Sequence, residues 1–109
     1  MGFNGLTDGE AERLALLMEE MGEAQQAIGK ILRHGYRSFD PTKRNGPSNR
    51  DALVRELGDV QAAMLLLFAR RDVSADAVHE RAHEKIGKVR KYMHHQDDKE
   101  TCRPSEKAK

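Results

Sequence analysis

This sequence has almost no aromatic side chains and only one cysteine. Aromatic residues make up 5% of the 109 residues and tryptophan is absent, so any core must consist of aliphatic residues, methionine and alanine. The single cysteine, Cys102, excludes an internal disulfide, and we therefore expect a reducing, cytoplasmic location. The longest apolar run, Ala62 to Ala69, is too short to span a membrane. The residues after Met1 do not form a signal peptide pattern, so we expect no membrane association.

The chain also lacks an excess of charge of either sign. Lysine and arginine total 19 and aspartate and glutamate total 18, which leaves a formal net charge of +1. A protein that binds nucleic acid through bulk charge needs a clear basic excess, so we expect no nucleic acid polymer as a partner. The length fits one small domain, which we place at residues 1–95.

The hydrophobic pattern predicts three helices and no strands. Thr7 and Glu10 form a capping box sequence before the first helix, and Gly35 is a typical helix stop. Between them, apolar residues recur at steps of three and four: Leu14, Leu17, Met18, Met21, Ala24, Ile28, Ile31 and Leu32. The segment Tyr36 to Pro47 contains two prolines and a glycine, which predicts a loop.

A second helix begins after a cap at Ser48 or Asn49 and ends near Arg70, and a third begins after a cap at Ser74. Residues 96–109 are polar without periodicity, so we expect a disordered tail. The second helix is apolar on every side over residues 62–69, which one small chain can hardly cover. The predicted fold class is therefore all-α, an antiparallel bundle of three main helices per chain, completed by oligomerisation.

Two acidic pairs stand at a spacing of three residues within the apolar helices. They are Glu20 and Glu23 on the first helix and Glu56 and Asp59 on the second. Residues three apart lie on one side of a helix, and antiparallel packing would bring the pairs together. Four carboxylates at one place need a compensating cation, and oxygen ligands favour Mg²⁺ or Mn²⁺.

Chance alone accounts for acidic pairs at this spacing, and exposed pairs are usually solvated surface. In a chain with 18 acidic residues about three such pairs are expected, and a third one, Asp97 and Glu100, lies in the polar tail. The apolar surroundings of the first two pairs favour a site. In addition, Lys30 lies seven residues beyond Glu23 on the same face, where it could hold a phosphate group.

These residues resemble a known family. The stretches "EEMGEAQQAIGKILRHG" and "RELGDVQAAMLLL" are similar to the all-α nucleoside triphosphate pyrophosphohydrolases of the MazG-like superfamily, particularly its small phage-type members. The family motif is Glu-x-x-Glu on one helix and Glu-x-x-Asp on the next. A further Lys-x-x-Arg-x-Gly matches Lys30, Arg33 and Gly35, and the similarity covers residues 10–92. The segment between the motifs is longer here than in compact members, with the extra length in the Tyr36 to Pro47 loop.

The resemblance implies a homodimer or homotetramer that cleaves a nucleoside triphosphate into the monophosphate and pyrophosphate. It implies that Glu20, Glu23, Glu56 and Asp59 are catalytic residues that bind Mg²⁺, with Mn²⁺ as a substitute. Lys30 and Arg33 are then candidates for binding the substrate phosphates. Lys85 and Lys88 on the third helix are weaker candidates, since exposed helix lysines are common.

Two other interpretations carry less weight. Glu80-x-x-His83 is half of a di-iron pattern, but such a centre needs that pattern twice plus two further glutamates. A non-catalytic helical module that binds nucleotides or a partner remains the main alternative to an enzyme. Degenerate members usually lose an acidic position, and none is lost here, which favours the enzyme.

Overall fold

A computed structural model describes residues 2–43 and 45–96. Over these residues the chain forms three α-helices, α1 (Asp8–His34), α2 (Asn49–Ala69) and α3 (Ala75–Val89), followed by a 3-10 turn at Arg90–Tyr92. The part described contains no strand, only an isolated antiparallel bridge between Phe39 and Ser48. The prediction of an all-α fold is confirmed. The tail for which we predict disorder lies outside this range from residue 97 onward.

Short polar residues set the beginning of each helix. Thr7 accepts a hydrogen bond from the Glu10 backbone at 3.1 Å, and the Glu10 carboxylate accepts one from the Thr7 backbone at 2.8 Å, completing the predicted capping box. At the other end of α1, Gly35 has a φ of 88°, a left-handed value that favours glycine.

The caps of the other two helices are also single hydroxyls. Ser48 rather than Asn49 caps α2, where its Oγ accepts from the Asp51 backbone at 3.2 Å. Ser74 caps α3 in the same way, accepting from the Ala77 backbone at 3.1 Å. Since an unsatisfied backbone donor at a helix start costs free energy, each hydroxyl stabilises one first turn by about 1 kcal/mol.

Small residues line the contact between α1 and α2. Ala24 and Ala27 on α1 are buried, as are Ala63 and Leu67 on α2. Arg13 near the start of α1 holds Asp72, just beyond α2, through hydrogen bonds of 2.6 and 3.0 Å. Alanine side chains allow two helix backbones to approach closely, which brings the polar residues beside them into reach of each other.

The apolar stripe expected on α1 divides between two faces of the helix. Ala24 is buried, and Leu17 and Ile31, spaced seven residues either side of it, are half-buried. Another set remains exposed in the single chain: Leu14, Met18, Met21, Ile28 and Leu32. Glu20 and Ala27 share the more covered face, so Glu20 lies within the helix contact rather than beside it.

The chain divides into two compact units, Met1–Val73 and the part from Ser74 onward. In the second unit, no residue of α3 is buried, and Val78 and Val89 are half-buried. Arg81 and Glu84 form an exposed ion pair at 3.1 Å, one helical turn apart. The site described next lies entirely in the first unit.

Candidate active site

Four carboxylates meet on α1 and α2. Glu20, Glu23, Glu56 and Asp59 each offer one oxygen, and these oxygens all lie within 4.8 Å of one another. The first three side chains are half-buried and Asp59 is exposed. The structure thus brings together both acidic pairs that the sequence analysis expected to converge.

Two of these carboxylates are left without a hydrogen-bond partner at one oxygen. Glu20 Oε2 and Glu56 Oε2 are both shielded from solvent, and neither has a hydrogen-bond partner. Burial of a charged oxygen without a partner is costly, and native proteins rarely accept it without a functional reason. The two oxygens without a partner therefore fit a site that binds a cation.

The electrostatics of the cluster agree with that indication. Burial raises the pKa of Glu20, and the neighbouring charges of Glu23 and Asp59 raise it further. Burial also raises the pKa of Glu56, together with a hydrogen bond to Glu23 and the charges of Glu23 and Asp59. Each shift reflects an environment that disfavours the negative charge. A divalent cation reverses this preference, because it attracts the ionised form of every carboxylate around it.

The donor set fits a hard metal ion. All the donors are carboxylate oxygens, which suit Mg²⁺ and Mn²⁺, whereas zinc sites are typically built from cysteine and histidine. Ligands drawn in pairs from two helices leave the outer side of the cluster open toward Asp59, the exposed member. Because Mg²⁺ usually keeps several positions for water or phosphate, an open side is consistent with this ion.

A groove of about 290 Å³ lies directly beside the carboxylates. Glu23 and Glu56 line it together with Lys30, and its other lining residues are Gln26, Ala27, Asn49 and Ala52. Lys30 thus places an ammonium group at a groove that begins at the acidic cluster. This is the position that the sequence spacing of Glu23 and Lys30 predicts.

A larger cavity of about 470 Å³ adjoins this groove, since Lys30, Asn49 and Ala52 line both. Arg33 lines the larger cavity only, so the two cations predicted to bind phosphate both line this cavity, and Lys30 also lines the groove. The loop after α1 also lines this cavity, through residues that include Phe39, Asp40, Pro41, Lys43 and Pro47. The sequence analysis left the role of this loop open, and the structure places it at the cavity.

Contacts at both ends hold the loop near α1. Asn49 Nδ2 donates to the Gly35 carbonyl at 3.1 Å, and the Arg50 guanidinium stacks over the Tyr36 ring at 4.5 Å. Within the loop, Asp40 accepts hydrogen bonds from the backbone and hydroxyl of Thr42. Sequence analysis missed Asp40, although Asp-Pro-Thr is a turn sequence that could have drawn attention to it.

The remaining candidates lie on α3. Lys85 and Lys88 are exposed and belong to the second unit. His79 and His83, one turn apart on α3, bring their rings to 4.9 Å in an edge-on arrangement. No metal-ligating cluster of three or more residues occurs on α3, so the di-iron interpretation gains no support from the described residues.

The fold and the site together define a class of protein: all-α proteins in which two packed helices bring four carboxylates together. The chain belongs to a family of that class: the model of the MazG nucleotide pyrophosphohydrolase domain matches residues 9–94. The resemblance noted from the sequence is therefore confirmed, and membership indicates a nucleotide substrate. Searches of curated proteins and of solved structures gave no match. In the described part of the chain, no helix has the length and apolar character needed to cross a bilayer.

Proposed function

We propose that this protein is a Mg²⁺-dependent nucleoside triphosphate pyrophosphohydrolase. It hydrolyses the anhydride link between the α and β phosphates of an NTP or dNTP, with water as the second reactant and a monophosphate and pyrophosphate as products. The observation that carries the proposal is the convergence of four carboxylates, two of which bury an oxygen with no partner. Family membership supplies the reaction class.

In this proposal Glu20, Glu23, Glu56 and Asp59 hold the metal, Mg²⁺ or in its place Mn²⁺. When bound, the ion supplies neutralisation of phosphate charge and Lewis-acid activation of water. The protein supplies position: two helices fix the carboxylates, and one of the four accepts the proton that the attacking water gives up.

Lys30 and Arg33 are proposed to bind the substrate phosphates. Lys30 lines the groove beside the carboxylates and offers a point charge close to the cleaved anhydride. Arg33 lines the adjoining cavity, where a forked guanidinium can bind two phosphate oxygens at once. Lys85 and Lys88 are proposed as weaker contributors.

We further propose that residues 1–95 form the functional domain and that α1 and α2 of one chain pack antiparallel. We also propose that the chains assemble into a homodimer or homotetramer. The pairing of Arg13 with Asp72, and of Gly35 with Asn49, supports the antiparallel direction. The exposed apolar side chains on both helices support completion of the bundle by further copies. Leu65 and Leu66 on α2, for example, are each about half exposed.

A phosphate-release assay tests the activity. The full chain is incubated with each canonical NTP and dNTP in the presence of inorganic pyrophosphatase, with Mg²⁺ varied and with EDTA as the metal-free reference. We expect phosphate release that requires both Mg²⁺ and the pyrophosphatase, with the nucleoside monophosphate as the nucleotide product. The absence of metal-dependent turnover on every triphosphate would favour the non-catalytic nucleotide- or partner-binding module instead.

Substitutions then separate the proposed roles. Glu56→Gln and Asp59→Asn are expected to abolish turnover while helix content by circular dichroism stays unchanged. Lys30→Gln is expected to lower kcat/KM by about tenfold or more, since a charge-assisted phosphate contact is lost. Glu12→Gln is the matched control, because it removes a carboxylate from α1 about 27 Å along the helix from Lys30. Normal activity of both Glu56→Gln and Asp59→Asn would show that these two residues do not bind the metal.

A further inference from the structure

The cavity beside the loop adjoins the proposed phosphate groove. Lys30, Asn49 and Ala52 line both spaces, and the larger one measures about 470 Å³. Pockets of a few hundred Å³ suit small-molecule ligands. If the triphosphate lies at the carboxylates, as the proposed function requires, a part of the substrate next to it can enter this cavity.

Asp40 is a fixed, ionised carboxylate in the cavity wall. Its Oδ1 accepts hydrogen bonds from the Thr42 backbone at 2.9 Å and from the Thr42 hydroxyl at 2.7 Å. These bonds lower the pKa of Asp40, with smaller contributions from the charges of Lys43 and Lys30, whereas desolvation raises it. The side chain is therefore held in one orientation and stays negatively charged at neutral pH.

Lys30 and Arg33 line this cavity and suit phosphates, whereas the chemistry of the wall at Asp40 suits a nucleobase. A carboxylate only accepts hydrogen bonds and repels phosphate oxygens, so the part of a nucleotide that contacts it must donate a hydrogen bond. Phe39, Pro41 and Pro47 add apolar surface around it. Flat aromatic bases bind well against such surfaces, because every base has an apolar face and a polar edge.

We propose that the nucleobase binds at the Asp40 wall of the cavity and that Asp40 favours nucleobases carrying an amino group, namely cytosine, adenine and guanine, over uracil and thymine. The amino group donates to the Asp40 carboxylate. Uracil and thymine instead present an N–H flanked by two carbonyl oxygens, and a carboxylate repels those oxygens. This assignment of Asp40 as a specificity-determining residue depends on the proposed function.

Cytosine and uracil provide the sharpest comparison, because their Watson–Crick edges differ only where an amino group replaces a carbonyl and in the protonation of N3. For the wild-type chain we expect kcat/KM to be about tenfold higher with CTP than with UTP. This factor is at the low end of the effects of a hydrogen bond to a charged group, because the site is exposed. Asp40→Asn, which offers both a donor and an acceptor, is expected to bring the CTP to UTP ratio close to one. Glu12→Gln should leave the ratio unchanged.

A second variant addresses the orientation of Asp40. Thr42→Val removes the hydroxyl that holds Oδ1, so the ratio should fall part of the way while the charge remains. Circular dichroism checks that both variants fold. If Asp40→Asn instead raises kcat/KM equally for all triphosphates, Asp40 faces phosphate and the assignment is overturned. An unchanged ratio in Asp40→Asn overturns it as well.

Binding measurements separate this inference from the proposed function. The non-hydrolysable α,β-imido analogues of CTP and UTP are titrated into the full chain by calorimetry with Mg²⁺ present. Tighter binding of the CTP analogue by about tenfold, lost in Asp40→Asn, supports the inference even if no triphosphate is hydrolysed. Equal binding of the two analogues by the wild-type chain overturns it, while metal-dependent turnover would leave the proposed function intact.

Discussion

Glu20 on α1 and Glu56 on α2 bring carboxylate oxygens within 4.8 Å of each other, and each also buries an Oε2 without a hydrogen-bond partner. Like charges in a partly desolvated helix contact oppose folding, because neither charge is compensated. Apolar residues at these two positions would pack α1 against α2 without that cost. The two glutamates are therefore better explained by function than by stability.

Glu20→Gln is expected to have opposite effects on stability with and without metal. In EDTA the melting temperature should equal or exceed that of the wild type, because one charge is removed from the cluster. In saturating Mg²⁺ the wild type should gain about 5 °C or more while the variant gains little, since the ion binds only the folded cluster. Thermal unfolding followed by circular dichroism measures both.

Glu12→Gln is the matched control for this experiment, and it should keep the full response to Mg²⁺. A Glu20→Gln variant destabilised by the same amount in EDTA and in Mg²⁺ would show that Glu20 supports the fold and not a metal.

The exposed face of α1 predicts self-association. Its apolar residues follow the three- and four-residue steps of a helix-packing face, and Met18 and Leu32 are 73% and 82% exposed in the single chain. Met18→Glu and Leu32→Glu should therefore each shift the wild-type dimer or tetramer toward monomer, as measured by sedimentation. Glu12→Lys, a charge change at an exposed position on another side of α1, should leave the assembly unchanged. A wild-type protein that sediments as a monomer would refute the prediction.

The ion pair of Arg13 with Asp72 predicts a loss of stability in acid. Hydrogen bonding to Arg13 lowers the pKa of Asp72. A carboxylate with a lowered folded-state pKa stabilises the fold above its ordinary pKa of about 4, and this contribution is lost as the pH falls below that value. Asp72→Asn should therefore be less stable than the wild type at pH 7.

Urea unfolding over a pH series measures the difference between Asp72→Asn and wild type, which should shrink as the pH drops below about 4. Glu84→Gln breaks the exposed pair with Arg81 and should change stability little at any pH. A difference in unfolding free energy between Asp72→Asn and wild type that stays constant from pH 7 to the acid end of the series would show that the charge of Asp72 does not stabilise the fold.

Local chemistry made the helices predictable. Thr7, Ser48 and Ser74 cap helices because hydroxyl side chains satisfy backbone donors a few residues away, and Gly35 ends one because of its backbone freedom. The convergence of the acidic pairs was also within reach, since their spacing and the order of the helices restrict how they can meet.

Other features depend on contacts distant in sequence. Whether Glu20 lies in the helix contact or beside it depends on which of two apolar faces meets α2, and periodicity alone does not distinguish them. The place of Asp40 depends on how the loop folds back toward Lys30, which no local pattern encodes. The loop was recognisable from its prolines, but its role as a cavity wall was not.

The central claim is that Glu20, Glu23, Glu56 and Asp59 together bind a divalent cation, and titration calorimetry with Mg²⁺ and Mn²⁺ tests it most directly. We expect saturable binding by the wild-type chain that is lost in Glu20→Gln and in Glu56→Gln and kept in Glu12→Gln. Absence of uptake by the folded wild type, or equal uptake by the two acidic variants, would contradict the claim.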